Sequence, residues 1–352
     1  MKLIYNAKIV LEESILHGYL TIINGKIATI KEGHPSEELL NQAKNVYDCE
    51  ENYLLPGFID SHVHFRDLEQ QDKETLTSGS KAAITGGTTT VLTMPNTKPP
   101  LSTSKTLKRY HSLAEKNKLF CNIGIIAGVK EGFTWEDFSK MYSNGIYGIK
   151  VYPGDKSVAC GLAWLDGWKQ DLIPAAFEES FEVLCNNFKN EYLNWRKLFS
   201  TAKSYKIPVI FHPELPFAKE VFMKRWENGK VIAHNEQMNN PLLFAHDVSH
   251  PIYGNELSFV EMITAIVRKY IPNPTDSPHL HFVHISSPEA AKILEIMLKD
   301  YGYPCSYEIT PHHMLLHYNS ELTQENYGKV LVPLRAPRYQ EGMLKLAISG
   351  KN

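Results

Sequence analysis

The spacing of apolar and polar positions divides this chain into two regimes. In the first fifty-odd residues, "YLTIINGKIATI" sets β-branched runs on either side of Asn24-Gly25, the strongest short hairpin signal a sequence carries. "ILHGY" before it and "NVYDCEENYLLP" after it add strands, and Pro56-Gly57 closes the region. This pattern predicts a small β domain over residues 1–56.

From residue 57 the pattern becomes strand, loop, helix, repeated. "FIDSHVHF", "TTTVLTMP", "LFCNIGIIAGV", "IYGIKVYP", "IPVIFHP", "HLHFVHIS" and "PCSYEITPHH" read as strands. Between them lie helical stretches: "KETLTSGSKAAITGG", ended by Gly86-Gly87; "STSKTLKRYHSLAEKN", with Ser and Thr at its start; and "TWEDFSKMYSNG", which opens on a Thr-x-x-Asp capping pattern. Further helices are predicted in "YLNWRKLFSTAKSY", "PFAKEVFMKRWENG", "ELSFVEMITAIVRKY", "SPEAAKILEIMLKDYG" and "RYQEGMLKLAIS". The stretches Gly154–Asn190 and Trp226–Gly254 are less regular. About seven βα units favour a (β/α)8 TIM-type barrel over 57–352, ending before an eighth strand, rather than an open doubly wound sheet. No G-x-G-x-x-G follows a strand, so a dinucleotide fold has no support.

Composition narrows the classes. The 352 residues are 43% hydrophobic and 22% charged, with a formal net charge of -2, so no electrostatic footprint for nucleic acid or an anionic membrane appears. No apolar run reaches the length of a membrane span. The five cysteines are scattered, with no C-x-x-C, which argues for a reducing compartment and a cytoplasmic location.

The chemistry gathers at predicted strand ends, where barrels carry their active sites. The first strand ends in His62 and His64, the fourth in Lys150, the fifth in His212 and the sixth in His284. Residues i and i+2 of a strand share a face, so His62 and His64 point together. Each histidine alone reads as an ordinary packed residue. Three strands placing histidine at the same end predict a four-nitrogen site suited to zinc or a similar divalent ion. An ammonium cannot ligate a metal. Neutral Lys150, favoured by burial beside cations, can instead add carbon dioxide to form a carbamate able to bridge two ions.

In this order, "LLPGFIDSHVHFRD", "GGTTTVLTMPNTKPP", "GIKVYPGD", "VIFHPE", "FVHISSPEAAKIL" and "YEITPHHMLL" resemble dihydroorotase of the amidohydrolase superfamily. The likeness runs from about Lys2 to the chain's end, and Arg66 combined with "MPNTKPP" is its most specific part. The resemblance implies two zinc ions, one on His62 and His64, the other on His212 and His284, bridged by carbamylated Lys150. It implies that Arg66 and Asn96 bind the substrate carboxylate, the guanidinium fork matching it bidentately. The implied reaction is the reversible cyclisation of N-carbamoyl-L-aspartate to L-dihydroorotate in pyrimidine biosynthesis. The implied partners are this small-molecule substrate and either a second copy or a pyrimidine-pathway enzyme.

Four departures qualify that expectation. "LAISGKN" ends where the family's eighth strand, with its acid/base aspartate, would begin, so no catalytic residue is assigned. The family's small β domain is completed by C-terminal strands, so residues 1–352 alone are expected to bind metal poorly and turn over slowly or not at all. Leu331 stands where many relatives carry asparagine, and "RDLEQQ" lacks the usual Pro-Gly. The alternatives are an inactive dihydroorotase-like structural or regulatory subunit and a hydantoinase- or allantoinase-type cyclic amidase.

Overall fold

The computed structural model describes residues 1–129, 135–152, 195–214, 245–246, 255–321 and 328–349. Contacts divide the chain into two compact units, Met1–Ile59 with Gly87–Thr89, and Asp60–Gly86 with Thr90–Asn352. The predicted helix in "PFAKEVFMKRWENG", the stretch Gly154–Asn190 and all of Trp226–Gly254 except Ala245 and His246 lie outside the described residues, as does Thr134 of the proposed capping pattern.

The first unit is built on β1 (Lys2–Val10), β2 (Ile15–Ile23), β3 (Lys26–Glu32), β4 (Asn45–Asp48) and β5 (Tyr53–Leu54), with the short helix α1 (Glu37–Gln42). The sheet order is β3-β2-β1-β4, and β5 also pairs with β1. Asn24 and Gly25 join β2 to β3 with φ of 51° and 76°. Both residues tolerate that left-handed backbone, and the turn matches the twist of the strands it joins. Alternation buries Ala7, Ile9 and Leu20 against Ile4, Leu16, Ile22, Cys49 and Leu54.

Seven further strands form one sheet in the order β12-β11-β10-β9-β8-β7-β6. They are β6 (Phe58–Val63), β7 (Thr88–Thr93), β8 (Asn122–Gly128), β9 (Ile146–Val151), β10 (Val209–Phe211), β11 (Leu280–Phe282) and β12 (Cys305–Tyr307). The pairings from β7 through β12 are all parallel. Adjacent strands follow chain order, with helices returning the chain between them, which is the connectivity of a TIM-type barrel.

The central strands, β8 to β11, are largely buried on both faces. Val209, Phe211, Ile125, Ala127, Leu280 and Phe282 pack into the main core, together with side chains of the helices. Their alternates, Ile126, Ile210 and Val283, join Met94 in a second, separate cluster. Two apolar faces explain why these strands read as continuous apolar runs rather than alternating ones. They also set Lys150, between the core residues Ile149 and Val151, on the face of the second cluster.

The helices α2 (Leu76–Thr85) and α3 (Ser104–Lys116) begin on reciprocal capping boxes, Thr75 with Ser78 and Thr103 with Thr106. They are followed by α4 (Trp135–Tyr142), α5 (Trp195–Tyr205), α6 (Glu256–Tyr270), α7 (Pro288–Lys299), α8 (Pro311–Leu315) and α9 (Pro337–Ile348). One reading needs correction. The strand expected over "PCSYEITPHH" stops at Tyr307, and His312 and His313 lie in α8. Pro311 is preset for the first helical turn, and the Thr310 hydroxyl accepts from the His313 amide, so the Thr-Pro pair starts a helix.

Candidate active site

The four strand-end histidines come together. The ring centroids of His62 and His64 lie 5.1 Å apart, those of His62 and His284 5.5 Å, and those of His212 and His284 4.6 Å. Lys150 is fully buried, with its Nζ 5.2 Å from the Tyr152 ring centroid and Tyr152 stacked at 5.4 Å on His212. All five residues named from the strand ends therefore belong to one cluster.

Each imidazole has an orienting partner. His62 Nδ1 meets Glu308 Oε1, His64 Nδ1 lies 2.6 Å from Asn96 Oδ1, and His212 Nε2 lies 2.7 Å from Glu214 Oε2. An acceptor oxygen at one ring nitrogen puts the proton there and leaves a lone pair on the other. His284 Nε2 is 2.8 Å from His212 Nδ1, so the His284 N–H donates to that lone pair. Among the described residues, no three His, Cys, Asp or Glu side chains form a ready-made metal site. These imidazoles are instead hydrogen-bonded to their carboxylate and amide partners and to each other.

The donor set nevertheless fits a cation. Lys150 Nζ and His284 Nδ1 are buried polar atoms with no hydrogen-bond partner. Such atoms are rare in folded proteins and mark places where function overrides satisfaction. Burial pushes the Lys150 amine down to about 7, opposed by the Glu308 carboxylate, so a neutral amine exists near neutrality. Burial and the neighbouring His62 hold His64 down at about 3. Burial first, then the charges of His212 and Lys150, holds His284 well below the ordinary histidine range. Neutral imidazoles are the form in which histidine binds metal.

The two carboxylates behave oppositely to the amine. Burial alone would raise Glu308, but hydrogen bonds from His281 and His62, and their charges, leave it below the usual carboxylate range. Glu214 follows the same logic with His212, Arg335 and Asn255. Neither residue stands out in the sequence. Glu214 stands two positions after His212 in "HPE", and Glu308 directly follows β12. That placement at strand ends is the signal that could have found them.

Arg66 and Asn96 also meet. Arg66 Nη1 donates to the Asn96 backbone oxygen at 2.6 Å, while the Asn96 side-chain oxygen faces His64. The acidic neighbours of Arg66 have other partners. Asp67 accepts from the Leu68 and Leu76 amides, and Glu69 pairs with Arg109 at 3.4 Å. Asp60 turns back on its own strand, accepting from the His62 amide at 3.0 Å.

Known proteins resemble this chain both in sequence and in fold. Residues 53–144 match the amidohydrolase family. The chain is 28% identical over 339 residues to a dihydroorotase of Pyrococcus furiosus, covering 96% of this chain and 61% of that one. It is 25% identical to a dihydroorotase of Staphylococcus epidermidis, covering 99% and 70%. The first of these relatives is spanned over about three-fifths of its length. Among solved structures, an L-hydantoinase (dihydropyrimidinase) from Arthrobacter aurescens superposes with a TM-score of 0.75 at 16% identity, covering 99% of this chain and 67% of that one. A dihydropyrimidinase from Brevibacillus agri gives 0.70 at 19% identity, covering 99% and 66%. Residues 53–144 thus resemble the amidohydrolase family, the chain is similar to dihydroorotases over most of its length, and that likeness implies a metal cofactor. No helix of the described residues is long and apolar enough to cross a membrane.

Proposed function

We propose that this chain, similar to dihydroorotases over most of its length, carries the metal-dependent site of a cyclic amidohydrolase. The reaction is the reversible interconversion of L-dihydroorotate and N-carbamoyl-L-aspartate. In the hydrolytic direction water adds to the ring carbonyl, the ring C–N bond breaks, and the nitrogen leaves with a proton as part of a ureido group. The observation that carries the reading is the convergence of His62, His64, His212 and His284 on a face that also holds the partnerless amine of Lys150.

His62, His64, His212 and His284 would hold two zinc ions, with carbamylated Lys150 between them. Bound divalent metal supplies Lewis acidity toward the carbonyl and toward water. The remaining work falls to the protein. Glu308, Asn96 and Glu214 fix the tautomers of His62, His64 and His212. Arg66, steadied by the Asn96 backbone, keeps the rest of its guanidinium fork for a planar carboxylate. Tyr152 and the buried face around Lys150 limit access of bulk water to the amine. A pyrimidine-biosynthetic role in the cytoplasm follows from this substrate and agrees with the free Cys49, Cys121 and Cys305.

The test compares two rings that differ in one carboxylate. Zinc- and bicarbonate-treated protein is titrated with L-dihydroorotate and with dihydrouracil, and ring opening is followed with both. A preference for dihydroorotate of about 10-fold or more is expected from a charge-assisted bidentate contact. Equal handling of the two rings would instead favour a hydantoinase-type activity. Absence of metal uptake would refute the reading altogether.

A further inference from the structure

Behind the histidines lies a second polar assembly that meets the mechanism above only at Glu214. Glu256, the first residue of α6, is fully buried, and both its oxygens are taken. Ser286 gives its amide to Oε2 at 2.9 Å and its hydroxyl to the same oxygen at 2.5 Å. The Ser287 hydroxyl donates to Oε1 at 2.5 Å. Arg335, the largest fully buried side chain among the described residues, donates from Nε to the Ser286 hydroxyl at 2.9 Å. The preceding residue, Asn255, reaches Glu214 Oε1 at 3.4 Å. The Arg335 cation faces both carboxylates, lowering Glu214 and opposing the upward push of burial on Glu256.

The contacts are concentrated in a telling place. Ser286 is two residues beyond His284, and Glu214 is two residues beyond His212. A buried network of charged and polar groups adds little net stability over well-packed apolar residues of the same volume, so its presence asks for another reason. We propose that Arg335, Ser286 and Glu256, linked through Asn255 and Glu214, are positioning residues that hold His212 and His284 nitrogen to nitrogen. This rests on the reading of those two histidines as metal ligands. They act through the backbone after β11 and through the carboxylate on His212.

The experiment uses the full chain, three test variants and His212→Gln for signal assignment. Ser286→Ala removes the shared hydroxyl, and Glu256→Gln removes the charge with little change of shape. Tyr303→Phe is the control, deleting an equally buried hydroxyl that donates to the Ile271 oxygen at 2.6 Å, remote from the histidines in this network. Arg335→Met leaves two buried carboxylates without their cation and is expected not to fold, so it is not the decisive variant. The first readout is zinc affinity by competition with a chelator. The second is the ring N–H proton signal of His212 in the metal-free protein, assigned by its loss in His212→Gln.

Ser286→Ala and Glu256→Gln should weaken zinc by about 10- to 100-fold, the range for orienting partners of metal-bound histidine, and shift or broaden the His212 signal. Tyr303→Phe should lower the melting temperature without moving either readout. If both network variants behave like Tyr303→Phe, the assembly is structural only and the proposal is overturned. If the parent takes up no zinc, the ligand reading fails, and the His212 signal in the metal-free protein alone decides the positioning role.

Discussion

His284 Nε2 lies 2.8 Å from His212 Nδ1, with the two rings 77° apart and both largely buried. One proton joins two nitrogens that belong to different strands, and burial keeps His284 from taking a second one. A divalent ion can replace that proton. Zinc at about 100 times its Kd should therefore add about 2.7 kcal/mol to the stability of the parent, as for any ligand that binds only the folded state. His284→Ala should lose most of this gain. Urea unfolding with and without zinc measures both, and a parent indifferent to zinc would refute the ligand assignment.

The capping boxes offer a test of the scaffold that is independent of the chemistry. Thr75 and Ser78 each donate to and accept from the other's backbone or side chain at the start of α2. Thr75→Ala should cost about 1 kcal/mol, and Thr75→Ser much less, because serine keeps the accepting oxygen. Denaturant midpoints of the two variants check this, and equal losses would show that the methyl group, rather than the cap, matters.

How far these features can be read from sequence depends on how local their causes are. The Asn24-Gly25 turn, the Thr75 and Thr103 caps and the apolar strand runs are written in neighbouring residues. The paired orientation of His62 and His64 follows from strand periodicity alone. The end of β12 is misread from sequence because the Thr-Pro signal at 310–311 competes with a run that looks extended. Glu308 and Arg335 are invisible for a different reason. Glu308 meets His62 across 246 residues of sequence, and Arg335 meets Ser286 across 49. A carboxylate or guanidinium gains such a role only when the fold supplies its partner.

Arg66 is the residue on which substrate choice turns. Its Nη1 is committed to the Asn96 backbone at 2.6 Å, which aligns the guanidinium plane. Arg66→Met should weaken dihydroorotate binding by about 1.5–3 kcal/mol, the range for a hydrogen bond to a charged group. Arg66→Lys should not restore it, because a point charge cannot both hold Asn96 and present a fork. Calorimetric titration of the zinc-loaded variants decides. Binding by Arg66→Met as tight as the parent's would remove Arg66 from the substrate site.

Lys150 makes the pH dependence of stability informative. Its amine sits at about 7 in the folded protein, against an ordinary 10.5, because of burial. Between these values the unfolded chain holds the proton and the folded chain does not, so stability should rise with pH across that window. Below about pH 7 both states are protonated and the folded state bears the full cost of a buried ammonium. Lys150→Met removes the titrating group while keeping most of the volume. In metal-free, bicarbonate-free buffer the variant should be the more stable form. Its advantage should shrink by about 2.5 kcal/mol between pH 7.5 and 9.5, since a proton held by only one of the two states changes stability by about 1.4 kcal/mol for every pH unit crossed. Urea denaturation of both proteins across that range gives the difference directly, cancelling groups that titrate in both. An advantage that stays constant with pH would mean that the amine keeps its ordinary basicity in the folded protein, and Lys150 would then have no neutral form with which to take up carbon dioxide near neutrality.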